Sequence, residues 1–206
     1  MLIILSITIF LSACVSFENS PVSPSEDTFD QQLRGAWLGR NEKEEFDVIL
    51  HVGTYEKNDS NVHVIIHSKS GEIKHFNFNG FMGEIGTSKY LIGKMLPPTQ
   101  GEEVEYQGYK IARYQFIDSD HFTAYSIDSC DVEKLIINST LSGKYSRSRK
   151  ICYGNYVTSP PENLRKFLVK DGKEMFKNKM NFERINISGD YTQKESAQNK
   201  RLQGTP

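Results

Sequence analysis

The chain has 206 residues and a formal net charge of −1. That balance gives no reason to expect a nucleic-acid partner, and the length leaves room for one ordinary domain.

In chain order, Leu2 to Leu11 is an almost uninterrupted apolar run. It is about half as long as a spanning helix, which needs about 20 residues, so it reads as the core of a signal peptide. Ser12 and Ala13 lead into Cys14, and Leu11-Ser12-Ala13-Cys14 resembles the lipobox of bacterial lipoproteins. The resemblance implies cleavage before Cys14, diacylglycerol on its sulfur and an acyl chain on the new amino group. One acyl chain anchors only marginally at about 0.8 kcal/mol per buried methylene, whereas two or three anchor stably. It further implies a protein lipid-anchored in the cell envelope. Val15 stands where inner-membrane lipoproteins carry Asp, which places the protein at the outer membrane, facing the periplasm. The competing reading is an N-terminal strand with Cys14 as an ordinary buried thiol.

Lipidation of Cys14 leaves Cys130 and Cys152 as a pair, and the oxidising envelope lets them bridge. Two reduced thiols are the alternative. A zinc pair is disfavoured, because no C-x-x-C is present. Residues 1–13 thus read as signal peptide, 14–28 as lipidated cysteine and polar tether, 29–187 as the folded domain, and 188–206 as a disordered polar tail.

The domain opens on Phe29-Asp30-Gln31-Gln32-Leu33-Arg34-Gly35-Ala36-Trp37. Gly35-Ala36-Trp37 resembles the Gly-x-Trp start of lipocalins and other calycin barrels. In that family the tryptophan closes the barrel base under a basic residue near the end of the barrel, a role the resemblance gives to Arg184. A cation–π contact of this kind is worth about 0.5–2 kcal/mol and is structural.

Alternation dominates the chain from Phe46 onward. Phe46, Val48, Leu50 and Val52 fall on one face of a predicted strand with Asp47 and His51 on the other, and Val62, Val64 and Ile66 oppose His63 and His67. The turn-like sequence between them makes a hairpin. Phe76 and Phe78 continue the pattern, as do SKYLIGKML, YKIARYQFI and HFTAYSI. Gly80, Gly83 and Gly86 lack the spacing of a nucleotide loop and read as bends that let a sheet curl. A short helix is predicted over Ser129–Ile137 and a second from Ser159-Pro160-Pro161-Glu162, with Ser159 as its cap and an apolar stripe of Leu164, Phe167 and Leu168. A last strand spans about Met180–Ile185. The expected fold is mainly β, a single antiparallel barrel of calycin type or a sandwich, with one or two short helices near the C-terminal end.

Candidate chemistry is sparse. His63 and His67 stand about 13 Å apart along one strand, too far for one ion, and no metal or cofactor is expected. H-E-x-x-H, G-x-S-x-G and S-x-x-K are absent, so no catalytic residues are assigned. Arg147 and Arg149 share a face that suits phosphates or carboxylates, or serves as the charged edge of a sheet. By analogy with the barrel family, the expected function is binding of a small apolar or amphipathic ligand or a lipid, with Tyr90, Tyr114, Phe116 and Tyr125 as candidate pocket lining. The alternative is an envelope scaffold that meets a protein or polymer partner through its surface.

Overall fold

The computed structural model describes residues 15–23, 30–41, 46–56, 59–68, 70–96, 108–148, 151–170 and 172–185. The expected signal peptide, Cys14, Arg149 and the expected polar tail therefore lie outside the described residues.

Eight antiparallel strands close into a barrel. They are β2 (Gly35–Asn41), β3 (Phe46–Glu56), β4 (Asp59–Ser68), β5 (Ile73–Ile85), β6 (Ser88–Met95), β7 (Tyr109–Phe116), β8 (His121–Ile127) and β11 (Phe176–Arg184). Each of β2 to β8 pairs with the next, and β11 closes the circle between β8 and β2. Closure leaves no free sheet edge in the barrel itself.

The alternating pattern sets the register. Val48 pairs with Ile66, Leu50 with Val64 and Val52 with Val62, all buried inside, while His51 pairs with His63 outside. A slip of one residue would expose the whole apolar row.

Between β8 and β11 the chain leaves the barrel for α1 (Ser129–Ile137), β9 (Gly143–Ser148), β10 (Ile151–Val157) and α2 (Pro161–Lys170). Asp128 caps α1 by accepting from the backbone N–H groups of Cys130 and Asp131. Ser159 does not cap α2. Its hydroxyl instead accepts from Ser142 N at 2.8 Å, which pins the entry to β9. Leu164 and Leu168 are buried against the outer barrel wall with Phe167 packed beside them.

The polar segment after Cys14 is not a free tether. Val15–Phe17 forms β1, parallel to β10 and joined to β7 through Phe17 and Tyr109. Composition misleads here because Val15, Phe17 and Val22 are the only large apolar residues between 15 and 23, and all three are buried. Gly83 makes room for Val22, since a Cβ there would lie 2.8 Å from the Val22 Cγ2 atom. Gly86 sits at φ +63° in the turn joining Ile85 to Ser88. The evenly spaced glycines therefore serve different local needs.

Two apolar cores result. One lies inside the barrel around Trp37, Phe122 and Phe182; the other lies outside, where Phe81, Ile85, Tyr90 and Ile92 meet Val15, Phe17, Val157 and α2. Consequently part of the outer face of β5 to β8 is covered as well as the inner one.

Candidate functional site

The base of the barrel is built around Trp37, which is fully buried. Its ring meets Phe122 edge-on at 4.8 Å, and Phe122 stacks on Phe182 at 4.8 Å. The indole N–H donates to Leu33 O at 2.7 Å, tying the barrel to a short 3₁₀ turn at Gln31–Leu33. Arg184 lies over the same indole, its guanidinium carbon 4.0 Å from the ring. The fork also donates to Arg34 O and Gln32 O at 2.8 Å and to Ser119 O at 3.0 Å. Gly35 holds φ +124°, and a Cβ on it would lie 3.0 Å from Arg184 Nη1. Glycine two residues before the tryptophan thus permits both the backbone turn and the close approach of the cation.

Beside this plug is a polar pocket of about 210 Å³ lined by Asp30, Gln31, Met82, Gly83, Glu84, Lys89 and Tyr114. Asp30 Oδ2 accepts from Lys89 Nζ at 2.8 Å and from the Tyr114 hydroxyl at 3.1 Å. Its other oxygen accepts from Gln32 N, so the carboxylate holds the 3₁₀ turn against the barrel floor.

Above the plug lies an apolar cavity of about 110 Å³. Its origin is a run of small side chains. Opposed residues of antiparallel strands project from the same face, so Leu91, Ala112 and Ser126 form one inward row across β6, β7 and β8. Gly93 and Lys110 form the row on one side of it, and Tyr114 and Ala124 the row on the other. Opposite stand Val48, Leu50, Val62 and Val64, which do not reach across, while Phe78 packs over Gly93, where a Cβ would lie 3.1 Å from its own. A barrel of eight strands is just wide enough to be filled by side chains or to hold one small ligand. Here Ala112, Ala124 and Ser126 leave it partly open.

Tyr114 lines the cavity, and Phe116 points inward against Trp37 at 6.1 Å without lining it. Tyr90 and Tyr125 point outward. Both oppose Arg113, whose guanidinium carbon lies 4.2 Å from the Tyr125 ring centre, while Tyr90 packs on Phe176 at 5.5 Å beneath the inserted segment. Burial pushes the Tyr90 phenol above its ordinary pKa, with Ser88 and Arg113 partly opposing the shift. Of the four residues proposed as lining only Tyr114 lines the cavity, and among those missed in the sequence are Lys110, Ala112 and Ser126. Counting back by twos from Tyr114 reaches the first two, but Ile111 is buried on the other face and hides that parity.

Cys130 and Cys152 form a disulfide with their Cα atoms 5.0 Å apart, joining α1 to β10. Arg147 lies on β9, the last strand of the sheet order, opposite Cys152. His51 and His63 sit directly across from one another with ring centres 6.4 Å apart. Among the described residues no group of three or more His, Cys, Asp or Glu side chains could hold a metal ion.

No protein-family model, curated protein or solved structure matches the chain.

Proposed function

We propose that this protein is a lipid-anchored, non-enzymatic lipoprotein of the bacterial envelope whose calycin-like barrel binds a small apolar or amphipathic ligand. The carrying observation is the apolar cavity of about 110 Å³ inside a closed barrel whose base is plugged. Such concave, largely apolar sites with a few placed polar groups are what small ligands require. The anchor reading rests on Leu11-Ser12-Ala13-Cys14. Val15 follows that cysteine, and its carbonyl accepts from Lys110 Nζ at 2.9 Å. On this reading the anchor begins one residue before Val15, and the Val15–Lys110 contact supports a membrane on the cavity side of the barrel.

The scaffold alternative calls for an apolar outer patch. Exposed large apolar residues among those described are Ile73, Leu96, Ile117, Ile137, Tyr145 and Val169, spread over six separate strands, helices and turns. Ligand binding is therefore favoured.

Native mass spectrometry of the protein spanning Val15–Pro206, purified without added lipid or detergent, tests the reading. It is expected to carry, or to take up from fatty acids, a discrete extra mass that denaturation removes. Ala112→Leu adds about three carbons to the cavity wall and is expected to block uptake. If the space is open, this substitution is neutral or stabilising by about 0.5–2 kcal/mol. A filled interior would instead lose about 1–3 kcal/mol to overpacking, and that result counts against the reading.

A further inference from the structure

We propose that the cavity selects a neutral carbonyl compound with about four or five heavy atoms enclosed, a short ketone or aldehyde group, whose oxygen accepts a hydrogen bond from Ser126. This rests on the cavity reading above and adds the chemical class of the enclosed group.

Ser126 lines the cavity and is 2% exposed, and its hydroxyl is buried with no hydrogen-bond partner among the described residues. Its register partners on the neighbouring strands do not relieve it. Ala112 has no polar side-chain atom, and the Asn178 amide neither bonds to the hydroxyl nor lines the cavity. Two other polar side chains reach the wall, and both are engaged elsewhere. The Lys110 ammonium donates to Val15 O at 2.9 Å and Ser16 Oγ at 2.8 Å, and the Tyr114 hydroxyl donates to Asp30 at 3.1 Å. Ser126 therefore presents a single unused donor in a space whose wall is otherwise apolar.

That donor decides what fits. A charged ligand would be buried with no counter-charge to meet it, which excludes it. A buried water needs about two to four polar partners, so one hydroxyl does not hold it in an apolar space. A hydrocarbon fits but leaves the hydroxyl unpaired, and a buried donor without an acceptor is costly. An alcohol brings a second donor, and two hydroxyls joined by one hydrogen bond still leave one O–H unpaired. A ketone or aldehyde brings acceptors alone, so one hydrogen bond satisfies every donor present. Size follows from the volume. An apolar cavity of about 150 Å³ accommodates benzene, so one of about 110 Å³ takes about four or five heavy atoms in all, and a longer chain brings only its end inside.

The test is an NMR titration of the Val15–Pro206 protein at neutral pH with three probes, together with the infrared spectrum of the bound ketone. The probes are butan-2-one, butan-2-ol on the same skeleton, and 2-methylbut-1-ene, in which a methylene group replaces the carbonyl oxygen. Butan-2-one is expected to bind more tightly than butan-2-ol, with its carbonyl stretch at lower wavenumber than in a hydrocarbon solvent. Ser126→Ala deletes one oxygen. It is expected to weaken butan-2-one about fivefold, the ratio that a net hydrogen bond of about 1 kcal/mol gives, to return the stretch to its hydrocarbon value, and to bind 2-methylbut-1-ene no more weakly. Removing an unpaired buried donor costs the fold nothing, and the wild-type spectrum decides independently of the variant. An unshifted stretch in the wild type, equal losses for ketone and alkene in Ser126→Ala, or butan-2-ol bound as tightly as butan-2-one overturns the carbonyl assignment and leaves the cavity reading standing. Uptake of none of the three overturns the cavity reading itself.

Discussion

Arg184→Met removes the group that joins the last barrel strand to both the base tryptophan and the 3₁₀ turn. Three carbonyls, of Gln32, Arg34 and Ser119, lose their guanidinium donors, and Trp37 loses the cation 4.0 Å above its ring. The Arg184 side chain is 23% exposed, so water reaches part of the site and the hydrogen bonds count near the ordinary net value, about 1 kcal/mol each. Adding about 0.5–2 kcal/mol for the cation–π contact and allowing for retained packing by the methionine chain gives a loss of about 3 kcal/mol. At about 2–4 °C per kcal/mol for a domain of this size, the midpoint falls by about 6–12 °C. Urea unfolding followed by Trp37 emission measures the loss directly, since the fluorophore is the one uncovered. Arg184→Lys keeps the charge without the planar fork and is expected to fall between wild type and Arg184→Met. A loss below 1 kcal/mol in Arg184→Met, with an unchanged denaturant slope, would mean that Arg184 decorates the base and does not hold it.

Three further outcomes are expected. Replacing both Cys130 and Cys152 by Ala opens a loop with a sequence separation of 22 and costs about 3 kcal/mol in the chain-entropy model; hydrogen exchange should show the loosening concentrated in α1 and β10, and uniform loosening of the barrel would contradict this placement. His121 titrates above 6.5 because its ring is hydrogen-bonded to Asp118, whose own carboxyl is held low first by the Asp120 backbone N–H and then by His121. The pair's small contribution is thus complete below about pH 6.5, fades as pH rises through the folded value of His121, and also fades in acid as Asp118 protonates. An NMR titration in which His121 keeps its raised pKa in Asp118→Asn would rule out this cause. Cys14→Ala is expected to move the protein from the membrane to the soluble fraction; an unchanged membrane fraction would remove the lipoprotein reading.

The legible part of the fold is the part with one wet face. In β3 and β4 the inner residues Val48, Leu50, Val62 and Val64 alternate with outward His51, His63 and His67, so period two survives in the sequence. Over β5 to β8 part of the outer face is also buried, beneath β1, α2 and Phe176, and there the alternation disappears. Tyr90 and Tyr125 therefore cannot be told from Tyr114 by pattern. No such pattern marks β10, and β1 is only three residues long, held by its pairing with a strand about 140 positions away.

By itself the sequence determined an antiparallel β fold, the glycine and tryptophan of its base, the extent of α1 and the two cysteines left to pair. These depend on local chemistry: side-chain period, backbone freedom at Gly35 and helix-forming composition at Ser129–Ile137. Only the tertiary structure decided that the segment after Cys14 is a strand, that Ser159 braces β9, and that Lys110 and Ser126 both line the cavity, in adjacent rows. All three facts depend on strand register and on what covers the outer wall, set by contacts between residues far apart in the chain.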